Sequence, residues 1–249
     1  MQFSFSRFCD RALVFVVLSG LASLNLNAQT PPGWPQFGGP FRNFTAPSKG
    51  LANAWPAGGP RKVWSRGLGE GYSGIAVDAG KLYTMYRVSA AQAGSKSDRE
   101  VIVALDAQTG KTLWEDPYDA PFERGMQMEN GPGPHVTPLV VGNQVYTVGI
   151  TGKFYSKDKI TGKTLWYHDL IKEYQSPMRG RGYSCSPVAY KQTVILPVGG
   201  PGQAVMAFNQ KDGSLAWNRR NPSSSMWPSG CVARSSMLTT ATTACRMSW

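Results

Sequence analysis

Short apolar runs and polar turns alternate along the middle of the chain. Four runs rich in β-branched and aromatic residues occupy residues 72–114, the first being 72–77 and the third 101–105, and glycine, proline, asparagine or aspartate stands between them. Runs of a few residues with this composition predict β-strands, because helices need longer amphipathic segments. The same succession returns over residues 136–166 and 184–217, with 204–208 as the third run of the last repeat. The pattern therefore predicts an all-β fold built from a repeated unit of four strands.

A tryptophan marks the same point of each repeat. Trp64, Trp114, Trp166 and Trp217 follow one another after 50, 52 and 51 residues. The stretches that end in Trp114, Trp166 and Trp217 each contain an aspartate and a glycine. The turn in the third stretch is expected to be one residue shorter than the other two. Four short strands every ~50 residues are typical of a β-propeller blade, whereas sandwich domains have no fixed tandem period.

The repeated residues have structural roles in this prediction. An aspartate side chain accepts hydrogen bonds from the amides ahead of it, and glycine takes a positive φ without steric cost. The indole is large enough to fill the gap between neighbouring sheets, and its return in each unit favours packing over a cofactor stack. We assign the structural repeat to Trp64, Trp114, Trp166, Trp217, Asp106, Gly110, Asp158, Gly162, Asp212 and Gly213.

The amino end has the pattern of a targeting segment. Arg7 and Arg11 precede the apolar run 12–18, and Ala28 offers a small residue at a cleavage position. This order is typical of a secretory signal peptide, whereas a membrane anchor would need about 20 apolar residues. We expect cleavage near Ala28, a periplasmic or secreted protein, and no transmembrane span.

The pattern divides the chain into four segments. Residues 1–28 are the predicted signal peptide, residues 29–63 an entry segment and residues 64–217 the propeller repeats. The tail, residues 218–249, is irregular, because it has no acidic residue and no further Asp-x-x-Thr-Gly motif. We hypothesise that a frame shift or a truncation of the gene accounts for this tail.

Composition and charge narrow the classes of function. Of 249 residues, 28 are glycine and 18 are proline, 16% are charged, and the net charge is +11. These values exclude a disordered chain, a collagen and a multi-span membrane protein, and they argue against a helical bundle. The lysines and arginines are scattered, so no nucleic-acid partner is expected. The spacing of the four cysteines predicts neither a disulfide framework nor a CxxC metal pair.

The repeat resembles that of a known family. Residues 104–114 (ALDAQTGKTLW) are similar to the repeat of pyrroloquinoline-quinone (PQQ) enzymes and their non-enzymatic relatives. Residues 34–40 (WPQFGGP) resemble the entry segment of secreted PQQ-like propellers. The resemblance implies a partial β-propeller of four-stranded antiparallel blades, with about three complete blades plus an entry segment. Closed relatives have about seven or eight blades, so we expect self-association through the open propeller edges.

The resemblance leaves two classes of function open, since one propeller fold hosts many activities. The first is a non-catalytic binding or scaffold module of the cell envelope, similar to the propeller subunit of the machine that assembles outer-membrane β-barrels. Its expected partner is an envelope protein or peptide, and no cofactor or metal is expected. Arginines in a mouth loop suit carboxylates or phosphates, with a solvated turning loop as the alternative. The candidate binding residues are Glu129, Asn130, His135, Arg179, Arg181 and Tyr183.

The second class is a PQQ- and Ca²⁺-dependent quinoprotein dehydrogenase acting on alcohols or sugars. In such enzymes oxygen ligands hold the Ca²⁺, and PQQ carries the redox chemistry. This chain has no adjacent cysteine pair, and no aspartate of the repeats stands apart from those in the turns. We therefore assign no catalytic residue and expect the binding module rather than the enzyme.

Overall fold

The fold was obtained as a computed structural model, which describes residues 33–48, 50–88, 98–122, 126, 131–177 and 180–220. The predicted signal peptide and most of the predicted tail lie outside these residues. Within the described part of the chain, no helix is both long enough and apolar enough to span a bilayer. The described residues form three antiparallel sheets of four strands each, which confirms the predicted all-β partial propeller.

In each sheet the strands pair in the order in which they follow one another along the chain. Blade 1 contains β1 (Ala76–Asp78), β2 (Lys81–Arg87), β3 (Arg99–Asp106) and β4 (Thr112–Asp119). Blade 2 contains β5 (Leu139–Val141), β6 (Gln144–Val148), β7 (Lys153–Asp158) and β8 (Thr164–Asp169). Blade 3 contains β9 (Val188–Tyr190), β10 (Thr193–Gly200), β11 (Gln203–Asn209) and β12 (Leu215–Arg219).

One short helix, α1 (Leu170–Tyr174), follows β8 and was not part of the predicted strand pattern. The helix begins where the Asp169 side chain accepts a hydrogen bond from the amide of Lys172 (3.2 Å), which is the role of an N-cap residue. It ends at Gln175, whose backbone is left-handed with φ +52°. The helix therefore carries the chain from the outer strand of blade 2 towards blade 3.

The innermost strands are β1, β5 and β9, which contact one another in that order. The entry segment lies across them. The carbonyl of Trp34 accepts a hydrogen bond from the amide of Val77 in β1 (2.8 Å), and the carbonyl of Pro35 accepts one from the amide of Val140 in β5 (2.7 Å). The Arg42 guanidinium donates to a backbone carbonyl of β9. The segment thereby ties the three blades together.

The blades pack face to face through alternating side chains. Along β10 every second residue is buried, as expected of a strand that turns one face to a neighbouring sheet. Between blades 2 and 3, Phe154 contacts Trp166 and Phe208, with ring centroids 5.1 and 5.6 Å away. An equivalent cluster between blades 1 and 2 contains Trp114 and Val145. These aromatic and aliphatic contacts form the core.

The turn between the third and fourth strands has the same geometry in blades 1 and 2. The Asp106 carboxylate accepts hydrogen bonds from the amides of Gln108 (3.1 Å) and Thr109 (2.8 Å). Asp158 accepts from the amides two and three residues ahead in the same way. The hydroxyl and then the amide of Thr109 hold the pKa of Asp106 below its ordinary value, because they bond to the charged carboxylate.

Blade 3 differs from the prediction in this turn. The amide of Gly213 donates to the carbonyl of Asn209 (2.9 Å), and the other two turn glycines donate to their aspartates in the same pattern. Asn209 therefore occupies the place of the aspartate, and the expected shortening of this turn by one residue is wrong. Asp212 occupies the place of the threonine, where its carboxylate accepts from the amide and hydroxyl of Ser214.

Each of these turns receives the tryptophan of the preceding unit, and we call this the tryptophan–turn contact. The indole Nε1 donates to the carbonyl of the second turn residue, and the turn glycine lies against the same ring. The hydrogen-bonded pairs are Trp64 with Ala107 (3.0 Å), Trp114 with Lys159 (3.0 Å) and Trp166 with Gln210 (2.9 Å). The repeat tryptophans thus join one unit to the next.

We expect Gly162→Ala to destabilise the protein more than Gly142→Ala does. Both glycines have a positive φ, +74° and +56°, so alanine costs about 1–2 kcal/mol of backbone strain at either position. Open space surrounds the Cβ position at Gly142, whereas a Cβ at Gly162 would lie 2.6 Å from the Trp114 indole. Displacing that ring adds about 1–3 kcal/mol. Urea unfolding measures the difference, and equal losses for the two variants would contradict the tryptophan–turn contact.

Candidate functional site

The loops that lead into the innermost strands meet at one end of the blades. Tyr72 precedes β1 by four residues, and His135 precedes β5 by four residues. Their rings stack with centroids 5.8 Å apart and an interplanar angle of 19°. The amide of Tyr72 also donates to the carbonyl of Pro134 (2.7 Å). Backbone and side-chain contacts therefore join blades 1 and 2 at this end.

Arg181, in the loop that leads into β9, lies close enough to His135 to affect its ionisation. Burial lowers the pKa of His135 below its ordinary value, and the positive charge of Arg181 is the second cause of this shift. The imidazole is therefore neutral at neutral pH. We call Tyr72, His135 and Arg181 the mouth cluster. It combines an exposed aromatic ring, a neutral imidazole and a cation.

Of the six predicted binding residues, the structure places Arg181 within electrostatic reach of His135. Sequence reasoning placed Tyr72 in a strand-forming run and did not include it among them. The signal that identifies Tyr72 is its position four residues before an innermost strand, which it shares with His135. Three other predicted residues lie outside the described part of the chain and stay predictions: Glu129, Asn130 and Arg179.

Tyr183, the sixth predicted residue, packs against the core between blades 2 and 3. Its hydroxyl donates to the carbonyl of Val198 (3.0 Å), and its amide donates to the carbonyl of Ile150 (2.9 Å). Burial raises the pKa of Tyr183 to about 12. In this position Tyr183 holds its loop onto the blades. Cys185, two residues further on, is disulfide-bonded, a bond that the spacing of the cysteines did not predict.

A buried polar cluster supports the loop that carries His135. Arg87 is 1% exposed and Glu100 is fully buried. The Arg87 guanidinium lies 3.3 Å from the Glu100 carboxylate and donates from Nε to the carbonyl of Pro132 (3.0 Å). The Tyr118 hydroxyl donates to the second oxygen of Glu100 (2.6 Å). Residues of β2, β3 and β4 thus hold the loop of blade 2 in place.

Burial is the largest influence on the ionisation of this cluster. It raises the pKa of Glu100 above its ordinary value, against the hydrogen bond from Tyr118 and the charge of Arg87. It also lowers the pKa of Arg87. Burial favours the uncharged form of each group, so each one stays charged because the other is beside it. Arg87 is the last residue of β2, and Glu100 is the second residue of β3.

The described residues do not fit a PQQ held by Ca²⁺. Among them, no three His, Cys, Asp or Glu side chains group so as to hold a metal ion. Two buried carboxylates at this end of the blades are paired with cations, Glu100 with Arg87 and Asp169 with Lys153. Calcium takes about six to eight oxygen ligands, and this set of side chains does not supply them. The mouth cluster is suited to binding an anionic or aromatic group instead.

Three four-stranded blades joined by tryptophan–turn contacts, with their innermost strands side by side, define a β-propeller protein with a repeated blade. Residues 48–241 match the family described as outer membrane protein assembly factor BamB (PQQ_2). The chain belongs to this family, which confirms the PQQ-like propeller predicted from the repeat. The match continues beyond blade 3 into the segment predicted as an irregular tail. A comparison with curated proteins found no match.

Several solved structures are similar to this chain. Quinohemoprotein alcohol dehydrogenase from Comamonas testosteroni is 20% identical, with 85% of this chain and 30% of that chain covered and a TM-score of 0.49. BamB from Moraxella catarrhalis is 22% identical, with 61% and 38% covered and a TM-score of 0.36. A europium-containing methanol dehydrogenase is 19% identical, with 63% and 26% covered and a TM-score of 0.43. The chain thus spans less than two fifths of each, and these similarities do not bear on its activity.

Proposed function

We propose that this chain is an exported, non-catalytic propeller module that binds a carboxylate-rich segment of a cell-envelope protein. The mouth cluster carries the proposal, because an aromatic ring, a neutral imidazole and a guanidinium lie together where the loops enter the innermost strands. Export is supported by the predicted signal peptide. An envelope partner is supported by membership of a family described by an outer-membrane assembly factor.

Each member of the mouth cluster suits an acidic peptide. An arginine such as Arg181 carries paired N–H donors whose geometry matches a carboxylate. The exposed Tyr72 ring offers apolar surface to a neighbouring side chain. The His135 imidazole, neutral at neutral pH, both donates and accepts hydrogen bonds. The positive net charge of the chain attracts an acidic segment during encounter.

The cluster is also held in place before a ligand arrives. The Arg87–Glu100 pair fixes the loop before His135 through the carbonyl of Pro132. The Ser73 hydroxyl donates to the carbonyl of Val136 (2.7 Å), which fixes the following residue as well. A rigid site loses less conformational entropy on binding, so preorganisation strengthens affinity.

Binding of a fluorescein-labelled peptide of alternating glutamate and phenylalanine tests this function. Fluorescence anisotropy with the full chain should show saturable binding that weakens as the salt concentration rises, since the contact is between charges. A peptide with glutamine in place of glutamate should bind about tenfold more weakly, and so should the acidic peptide to Arg181→Gln. Arg61→Gln is the matched control, because Arg61 is an exposed arginine outside the mouth cluster.

Three outcomes would overturn the proposal. Equal affinity for the acidic and the glutamine peptide would show that carboxylates are not recognised. An unchanged affinity in Arg181→Gln, or an equal loss in Arg61→Gln, would place the binding elsewhere on the surface. Saturable, metal-dependent dye reduction with alcohols or sugars in the presence of PQQ and Ca²⁺ would replace the binding function with the dehydrogenase function.

A further inference from the structure

The turns that follow the innermost strands lie together at one end of the three blades. In each blade, the turn between the third and fourth strands donates a backbone hydrogen bond to the turn between the first and second. The donor and acceptor pairs are Ala107 with Gly80, Lys159 with Asn143 and Gln210 with Gln192, each at 2.9 Å. We call this end the turn face, and it consists of residues 78–81, 106–111, 142–143, 158–163, 190–192 and 209–214.

Exposed lysines stand on the turn face in every blade. Lys111 and Lys163 follow the turn glycines of blades 1 and 2, and Lys191 and Lys211 lie in the two turns of blade 3. Among the residues that the structure describes, no carboxylate lies within ion-pair distance of these four side chains. Their ammonium groups are therefore available to an anion from outside the protein.

The four carboxylates of the turn face already have partners within it. Three accept hydrogen bonds from backbone amides of their own turns, namely Asp106, Asp158 and Asp212. The fourth, Asp78, accepts a hydrogen bond from the ammonium group of Lys159 in the neighbouring blade (2.9 Å). Six lysines stand on this face against these four carboxylates. The turn face therefore carries an excess of positive charge, and the exposed lysines supply it.

Two exposed side chains with apolar surface accompany the lysines. Ile160 is exposed at the tip of the turn between β7 and β8, and Tyr190 is exposed beside the turn between β9 and β10. The ammonium group of Lys191 lies 5.5 Å from the centroid of the Tyr190 ring. Lysines beside aliphatic and aromatic side chains suit a membrane interface, because the charges meet the headgroups while the apolar groups enter the acyl boundary.

We propose that the turn face binds the surface of an anionic phospholipid bilayer, with its exposed lysines against the headgroup phosphates and Ile160 inserted between them. The lysines lie on three separate blades, so an extended array of phosphates contacts all of them at once, whereas a single small anion contacts one. Each lysine near an anionic membrane strengthens binding about fivefold. The mouth cluster precedes the innermost strands, whereas the turn face follows them, so this site is independent of peptide binding at the mouth.

Cosedimentation of the full chain with lipid vesicles tests the proposal. Vesicles of phosphatidylcholine and phosphatidylglycerol in a three-to-one ratio should bind the wild-type chain, and binding should weaken as the salt concentration rises. Vesicles of phosphatidylcholine alone should bind it at least about tenfold more weakly, since they carry no net charge for the lysines to meet. Soluble glycerol phosphate at the same phosphate concentration should leave the chain on the anionic vesicles.

Single substitutions locate the binding surface. Lys163→Gln should weaken binding to the anionic vesicles about fivefold. Lys172→Gln is the matched control and should bind like the wild-type chain, because it removes the same charge from an exposed lysine beyond the other end of β8. Ile160→Ser should weaken binding about tenfold, by loss of the inserted apolar group. Leu51→Ser, at an exposed apolar position outside the turn face, is its control.

Circular dichroism and a thermal melt check that each variant is folded. Equal binding to the two kinds of vesicle, or none to either, would overturn the proposal, and so would release of the chain by glycerol phosphate. An equal loss in Lys163→Gln and Lys172→Gln would assign the binding to net charge instead of to the turn face. Loss of vesicle binding in Arg181→Gln would place it at the mouth cluster, and an unchanged affinity in Ile160→Ser would contradict the insertion.

Discussion

Trp166→Ala is expected to lower the free energy of unfolding by about 3–5 kcal/mol, the usual cost of removing a buried tryptophan side chain. The indole packs edge-on against Phe154, with ring centroids 5.1 Å apart, and donates to the carbonyl of Gln210 (2.9 Å). Alanine leaves a cavity between blades 2 and 3 and removes the partner of that carbonyl. Equilibrium unfolding in urea, followed by circular dichroism, measures the loss.

Trp55→Ala is the matched control, because it removes the same side chain from a position that is 74% exposed. Its effect should stay within about 0.5 kcal/mol. The free energy of unfolding of Trp166→Phe should lie between those of the two alanine variants, since phenylalanine retains an aromatic ring but cannot donate the hydrogen bond. Similar unfolding midpoints for Trp166→Ala and Trp55→Ala would show that the repeat tryptophans do not hold the blades together.

Glu100→Ala is expected to cost about 3–5 kcal/mol, because it leaves the buried Arg87 guanidinium without a counter-charge. Glu100 has no exposed surface and lies 3.3 Å from Arg87. Its loss also leaves the buried Tyr118 hydroxyl without its acceptor. The same urea unfolding measurement applies. Since Arg87 holds the carbonyl of Pro132, the variant should also loosen the loop that carries His135 and weaken binding at the mouth cluster.

Glu115→Ala is the control for this change, as it removes an exposed glutamate from the neighbouring strand β4. A double variant, Arg87→Met with Glu100→Leu, separates the effect of the buried charges on stability from the effect of side-chain packing. It should recover part of the lost stability, because an apolar pair carries no cost of burying an unpaired ion. The recovery should be incomplete, since the carbonyl of Pro132 loses its donor. A loss no larger than that of Glu115→Ala would mean that the pair does not stabilise the blades.

The strand pattern could be predicted from sequence because it depends on local chemistry. The predicted runs 101–105 and 204–208 lie within β3 and β11, where each strand is bounded by turn residues. The run 72–77 was less accurate, since only its last two residues belong to β1 and the preceding residues form the loop with Tyr72. Polar and aromatic residues leading into a short strand look like part of that strand when neighbouring blades are unknown.

The candidate site was predicted less well, since it depends on contacts between blades. His135 and Arg181 were identified as mouth residues, and the structure brings them together. Tyr183 was identified by the same reasoning, yet its hydroxyl is bonded to the carbonyl of Val198. Sequence alone does not show on which side of a loop a tyrosine lies. The Arg87–Glu100 pair was missed, because its burial requires blade 2 to cover the ends of strands in blade 1.

In the turn of blade 3, the sequence and the structure assign different roles to single residues. The sequence analysis assigns Asp212 to the structural repeat together with Asp106. The backbone hydrogen bonds instead place Asn209 there and give Asp212 the position of the threonine. Asparagine and aspartate both accept amide hydrogen bonds in such turns. A residue's role in a turn is therefore set by its distance from the glycine rather than by its type.

The sequence by itself determined the all-β class, the four-stranded period and the tryptophan–glycine spacing, because strands and tight turns are specified by residues close together in the chain. Only the tertiary structure decided which tryptophan each turn receives, how the buried ion pair supports the mouth loop, and that Tyr72 joins His135. Those facts depend on residues some 45 to 65 positions apart meeting across blade interfaces. Packing of whole sheets, and not local pattern, places such residues side by side.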